Sequence, residues 1–347
     1  MDRQLNRWGQ GCAAVTLAGS RVIPAAFIAS VLLLGPISCD SSPSSPNGPD
    51  PEDPITITIL YTNDEHGWIE EGTGTDGAAK LMGVWKSVEG YQADGSILVV
   101  SGGDNWTGPA VSTWFQGEPT VEVMNTMGYA ASAIGNHEFD FGVAVLEERV
   151  AQATFPYLSA NIRFHSSEGI PGFATPFTIR EVNGVRVGMV GLTTTSTPWS
   201  AFPTHVEDFQ FIPYSEALNE WVPRVWAAGA DVVVVLGHIC RTEMIELVPL
   251  AKSLGVSVLG GGHCHQEVAE VREGVALVEG GSWMASYGKV QVTFDPESGE
   301  VSSLTASIGA NQGGTADAAV AAVVSKWQEA AAQELSTVIG YTEAGIP

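Results

Sequence analysis

The sequence predicts an α/β sandwich whose sheets mix parallel and antiparallel strands. Runs of strand length rich in β-branched residues, such as ITITILYT at 55–62 and DVVVVLG at 231–237, recur along the chain. Stretches of helical period lie between them, which is the pattern of layered α/β architecture rather than of one block of each element. Asn183-Gly184 is a two-residue hairpin signal joining 177–182 to 185–190, so at least one neighbouring pair is antiparallel.

Each element has its own warrant. The run 55–62 alternates β-branched side chains, and strands of similar character are expected at 96–101, 186–193, 231–237, 257–259 and 289–294. Helical patterns fall at 78–88, 120–127, 143–151, 214–227 and 243–254. Near the end, Val320, Val323, Val324, Trp327, Ala331, Leu335 and Val338 recur at helical spacing, which predicts a long helix over 317–338 packed by one face. No internal repeat stands out.

The first residues are read as a targeting segment. An apolar run at 22–37 follows Arg3, Arg7 and Arg21, contains Pro24, and is too short for a comfortable membrane span. It ends in Pro36-Ile37-Ser38-Cys39, similar to a bacterial lipobox with Pro36 in place of the usual Leu, so Cys39 is the expected lipidation site. The expected organisation is a signal peptide over 1–38, a Ser/Pro/Asp-rich disordered tether over 39–54, a catalytic domain over 55–338, and the start of a linker over 339–347. This places the protein outside the cytoplasm, periplasmic or at the cell surface, held to a membrane by a lipid anchor only.

A formal net charge of −24 argues against a nucleic acid polymer as partner, because the usual footprint of such binding is a basic surface. Of four cysteines, Cys12 belongs to the leader and Cys39 is the expected lipidation site, leaving Cys240 and Cys264 in the fold. No disulfide framework follows from two residues, and two free small side chains are the expectation, with a cross-link as the alternative.

The chemistry-bearing residues cluster where strands hand over to loops. Asp64 and His66 lie in TNDEHG, Asp104 in GGDNW, Asn136, His137 and Asp140 in GNHEFD, His238 after DVVVVLG, and His263 and His265 in GGHCHQ. Loops at strand ends are where α/β folds place ligands. In an extended backbone alternate side chains share a face, so Asp64 with His66, and His263 with His265, are each expected to grip one cation or two neighbouring ones. Four imidazoles, two carboxylates and an amide suit zinc, manganese, iron or cobalt better than calcium. Each block has a bland reading by itself: a loop, a helix cap, a core histidine. Their joint occurrence in this order is what points to a metal centre.

The series D-x-H, G-D, G-N-H-E, G-H and G-H-x-H resembles the calcineurin-like metallophosphoesterases. TNDEHG with GNHEFDFG is similar to the catalytic domain of the 5′-nucleotidase and UDP-sugar hydrolase branch. The resemblance implies a four-layer α-β-β-α sandwich with mixed sheets and two divalent metal ions. It implies that Asp64, His66 and His265 hold one ion, that Asn136, His238 and His263 hold the other, and that Asp104 bridges them. His137 and Asp140 are implied as the catalytic pair, with Glu138 making a loop hydrogen bond. The implied activity is metal-dependent hydrolysis of 5′-nucleotides or related small phosphate esters by a metal-bridging hydroxide. Alternatives are cyclic phosphodiesters or a sulfur-linked sulfate as substrate, or a non-catalytic metal- or phosphate-binding lipoprotein. The expected organisation has the start of a linker at 339–347 without the branch's C-terminal nucleotide-binding domain. Trp68 and Trp106 are expected to pack rather than to replace it, and Asn161 is expected to be a buried turn amide.

Overall fold

The computed structural model describes residues 53–337, apart from residue 73. The leader, Cys39, all of the tether but its last two residues, Val338 and the segment 339–347 lie outside the described residues.

Two six-stranded sheets organise the chain. The first contains β1 (Ile55–Thr62), β2 (Ile97–Ser101), β3 (Ala131–Ala133), β4 (Tyr157–Leu158), β13 (Ser286–Asp295) and β14 (Glu300–Ala310) in the order β14-β13-β1-β2-β3-β4. The strands β1 to β4 run parallel, and β13 and β14 add antiparallel neighbours. The second contains β6 (Phe177–Val182), β7 (Val185–Leu192), β9 (Val232–Gly237), β10 (Val256–Gly260), β11 (Glu267–Arg272) and β12 (Val275–Gly280) in the order β11-β12-β10-β9-β7-β6. Its four inner strands are parallel and both edges antiparallel. A small ribbon pairs β5 (Ile162–Phe164) with β8 (Phe209–Phe211). The predicted hairpin is present: Asn183 and Gly184 take φ of 51° and 82°, as a two-residue turn that follows strand twist requires.

Strand alternation builds three cores. Ile57, Ile59 and Tyr61 of β1 meet Val232, Val234 and Leu236 of β9 between the sheets, while Leu60 of β1 and Val233 and Val235 of β9 face outward. Strands buried on both faces read as unbroken apolar runs, which is why DVVVVLG carries no polar alternation. Outside the first sheet pack the helices Gly77–Val84, Glu118–Met127 and Ala318–Leu335, with Leu81, Met124 and Val320 fully buried. Outside the second pack Tyr214–Ala227 and Arg241–Ser253, burying Leu218, Val222 and Met244. The result is the four-layer α-β-β-α sandwich. Each fully buried Val or Leu of the shared core contributes about 1.5–3 kcal/mol, so a charge at Val234 is the kind of single change that would break it.

Two helices differ from expectation. The predicted 78–88 helix is α-helical only to Val84, then widens into a π-turn over Trp85–Glu89 that Gly90 closes at φ 77°. The long C-terminal helix starts at Ala318 because the Asp317 side chain caps it, accepting from Ala319 N and Val320 N. Among the described residues, no helix is long and apolar enough to cross a membrane.

Candidate metal centre

Parallel strands of both sheets end at the same side of the molecule, and the loops that leave them carry every predicted metal-ligand and catalytic residue. Asp64 and His66 follow β1, Asp104 follows β2, and Asn136 and His137 follow β3; His238 follows β9, and His263 and His265 follow β10. The loops meet backbone to backbone. A Cβ on Gly102 would sit 2.6 Å from the Gly261 carbonyl oxygen, and one on Gly135 would sit 2.1 Å from Asp104 Oδ1. Neither position has room for a side chain.

Two donor clusters result. In the first, His265 Nε2 lies 3.2 Å and His66 Nε2 3.8 Å from Asp64 Oδ1, with the two nitrogens 3.3 Å apart. In the second, Asp104 Oδ2 lies 2.9 Å from His238 Nε2, and the His263 ring packs on His238 with centroids 5.2 Å apart. Asp104 also groups with His66 and His137, so it stands between the clusters, and within each group the donor atoms lie within 4.8 Å of one another.

The orientation of the imidazoles is fixed from behind. His66 Nδ1 donates to the Thr107 carbonyl at 3.0 Å and His238 Nδ1 to the Gly102 carbonyl at 2.9 Å. A carbonyl only accepts, so both rings carry their neutral-form proton on Nδ1 and turn Nε2 lone pairs inward, the arrangement of metal-binding histidines. At the site, Asn136 Oδ1 is buried without a hydrogen-bond partner. A buried acceptor left unpaired is costly unless a donor or a cation meets it. The residues therefore fit two divalent ions: Asp64, His66 and His265 could hold one, and Asn136, His238 and His263 the other, with Asp104 shared.

The catalytic candidates lie at the rim. His137 Nδ1 is 2.7 Å from Asp140 Oδ2, its amide donates to Asp104 Oδ1 at 2.8 Å, and its side chain is 35% exposed. Glu138 points away from solvent and accepts from the amides of Asp104 (2.9 Å), Asn105 (2.7 Å) and Gly135 (2.6 Å), so it braces the loop.

No protein-family model matches the chain. It is 39% identical over 232 residues to protein UshA of Yersinia enterocolitica, covering 62% of this chain and 42% of that protein. Its fold matches calcineurin-like phosphoesterase YfkN of Bacillus subtilis with a TM-score of 0.72 at 22% identity, covering 82% of this chain and all of that one. A 5′-nucleotidase precursor from Thermus thermophilus matches with a TM-score of 0.68 at 25% identity, over 82% and 61% of the two chains. The chain belongs to the calcineurin-like phosphoesterases of the 5′-nucleotidase branch. It spans about a third to just over a half of the length of the curated relatives it matches.

Within this calcineurin-like domain, charge is arranged by burial and by pairing. Burial lowers His238, but the charge and hydrogen bond of Asp104, with the charges of Asp64 and Glu138, together outweigh burial and push it up to about 10. Burial raises Asp104, yet His238 holds it well below the usual carboxylate range. His137 is lowered by burial and raised more by its bond to Asp140 and the charge of Asp104, to about 9. Burial first, then the charge of Asp104, pushes Glu138 up to about 8 against the pull of its amides.

The structure corrects two expectations. Ligand pairing does not come from extended backbone: Asp64, His66, Asp104, His263 and His265 take φ of 51°, 45°, 58°, 70° and 53°, in the left-handed region. His263 and His265 consequently part, one to each cluster. Asp and His tolerate that region better than most side chains, though it costs about 1–2 kcal/mol each. Cys240 and Cys264 are not free thiols but a disulfide with Cα atoms 5.3 Å apart, tying the loop after His238 to the residue between His263 and His265.

Trp106 is fully buried against Tyr157, as packing predicts. Asn161 is a buried turn amide that bonds the backbone of Thr193 and Ile212. Sequence reading missed Asn63, whose amide nitrogen reaches Asp64 Oδ2 at 2.7 Å and whose oxygen accepts from Gly280 N at 2.6 Å. It also missed Ser196, 3.3 Å from His263 Nε2. The signal for Asn63 was its place beside Asp64 at a strand end; Ser196 had none.

Proposed function

We propose that the domain hydrolyses phosphate esters, 5′-nucleotides or related small esters, with two divalent cations held by the seven side chains above. The observation that carries this reading is the convergence of two Asp/His donor clusters on a shared Asp104, beside a His137–Asp140 pair. When bound, the cations supply Lewis acidity, lowering the pKa of a coordinated water and neutralising phosphoryl charge. The protein's own groups do the rest. Asp104 is positioned through both oxygens, one accepting from the His137 amide and the other facing His238. His137, its Nδ1–H donated to Asp140, keeps Nε2–H for the substrate and offers positive charge where the leaving oxygen becomes anionic. The chain needs no protein nucleophile for this chemistry, because positioning and charge neutralisation dominate phosphoryl transfer.

The names of the relatives, 5′-nucleotidase and UshA, support a nucleotide as substrate. Export and lipid anchoring at Cys39 are part of the proposal, supported by the apolar leader and by a disulfide, which persists in oxidising compartments.

The test is a panel of 5′-AMP, UDP-glucose, bis(4-nitrophenyl) phosphate and an aryl phosphate, assayed with manganese, zinc or cobalt. Turnover of at least one ester is expected, lost with chelator and lowered by about 10²-fold or more in His137→Ala with metal content unchanged. No turnover of any ester by fully metallated protein overturns the reading.

A further inference from the structure

We infer that Trp68 and Trp283 form a stacking platform for the planar part of the ester, so that the domain prefers nucleoside or aryl phosphates to alkyl phosphates. The inference rests on the phosphoesterase reading and names its substrate class.

Trp68 follows His66 by two residues, and the Trp283 ring lies 5.3 Å from it at an interplanar angle of 34°. The same Trp283 ring stands edge-on to His265, with centroids 6.2 Å apart. One continuous surface thus leads from the first donor cluster onto two indoles. Trp68 is half-buried, whereas Trp283 is 37% exposed, so the outer ring has a free face.

The backbone beneath Trp283 is held in place at a cost. Trp283 and Met284 take φ of 59° and 55°, a region that bulky residues avoid. The Trp283 amide donates to the carbonyl of Asp64 at 2.8 Å, and Met284 is buried. A strained segment anchored on a candidate metal ligand, which spends that strain on presenting a large ring to solvent, is built for contact with something outside the fold.

Beside Trp68 lies a cavity of about 350 Å³ lined also by Glu70, Glu71, Gly72, Gly108 and Pro109. Glu71 is paired with Lys80 at 2.9 Å, which leaves Glu70 as the carboxylate that can accept hydrogen bonds from ribose hydroxyls or exocyclic amines. The polarity therefore runs one way: phosphoryl at the Asp/His clusters, uncharged ring and sugar over the indoles.

The test uses the full chain loaded with manganese. In Trp283→Ala the ratio of kcat/KM for 5′-AMP over glycerol 3-phosphate is expected to fall about tenfold or more, the worth of one base–aromatic stack. Trp283→Phe should restore most of the ratio, and Trp68→Leu should lower it as well. Adenosine, which cannot react, should quench indole fluorescence in the wild type and lose affinity in Trp283→Ala. An unchanged ratio in both Trp283→Ala and Trp68→Leu, or fluorescence unmoved by adenosine, overturns the platform. If the wild type turns over no ester, the phosphoesterase reading fails instead, and the adenosine titration alone decides the platform.

Discussion

Replacing Glu138 with Gln tests how the centre is held from behind. Both carboxylate oxygens accept backbone N–H groups, Oε2 from Asp104 and Gly135 and Oε1 from Asn105. Only an ionised carboxyl offers acceptors on both sides, even though burial and the charge of Asp104 push the group up to about 8. Gln keeps one acceptor oxygen, which can serve the two amides of Asp104 and Gly135. Its NH₂ then opposes the Asn105 N–H. The loss is one charge-assisted hydrogen bond of about 1.5–3 kcal/mol plus a buried unpaired donor of about 1–3 kcal/mol, or about 2.5–6 kcal/mol in sum. With an unfolding slope of about 3 kcal/mol per molar urea, the midpoint should drop by about 1–2 M. Because Glu138 fixes the left-handed turn at Asp104, calorimetric metal affinity should also fall by about 10- to 100-fold. A Gln variant that unfolds at the wild-type midpoint and binds metal equally well would mean that the carboxyl is neutral and does not brace the loop.

Other perturbations follow from the same geometry. His238, pushed up to about 10 in protein stripped of metal, carries a proton that a cation must displace. Metal affinity should therefore rise with pH up to about 10, and calorimetry at pH 8 in buffers of different ionisation enthalpy should show proton release; none would refute the pairing. His137 is raised to about 9, so the charged form is present below that value and lost as pH rises through it. The basic limb of kcat should move to lower pH in Asp140→Asn, and a limb that stays in place would remove Asp140 from the pair. Reduction of Cys240–Cys264 by a non-chelating phosphine should lower metal affinity by about tenfold or more, since the bridge ties the loops that carry His238, His263 and His265. Equal metal content before and after reduction, with thiols shown free by mass mapping, would make the bridge incidental to the centre.

Much of the sandwich was legible because its central strands carry long β-branched runs, alternating Ile with Thr in β1 and apolar on both faces in β9. What escaped was short or polar. With two or three residues, β3 and β4 have no period to read, and β14 is an edge strand whose exposed VSSLTAS stretch looks like a loop. The residues of the centre were legible as motifs, since Asp, Asn and His at the ends of apolar runs are rare in that order. Their convergence was not, because it depends on left-handed backbone at Asp64, His66, His263 and His265 rather than on strand alternation. The disulfide depends on the same fold: Cys240 and Cys264 are 24 residues apart, and only the adjacency of β9 and β10 brings them together.

The centre draws on both halves of the sandwich. Asp64, Asp104 and Asn136 hang from the first sheet, along with His66, while His238, His263 and His265 hang from the second. Cations held there would act as rivets across the seam, linking metal occupancy to the cohesion of the two layers. Drift between the layers would open both coordination spheres at once, which makes the apolar filling sandwiched between them as much a guardian of metal retention as any ligand.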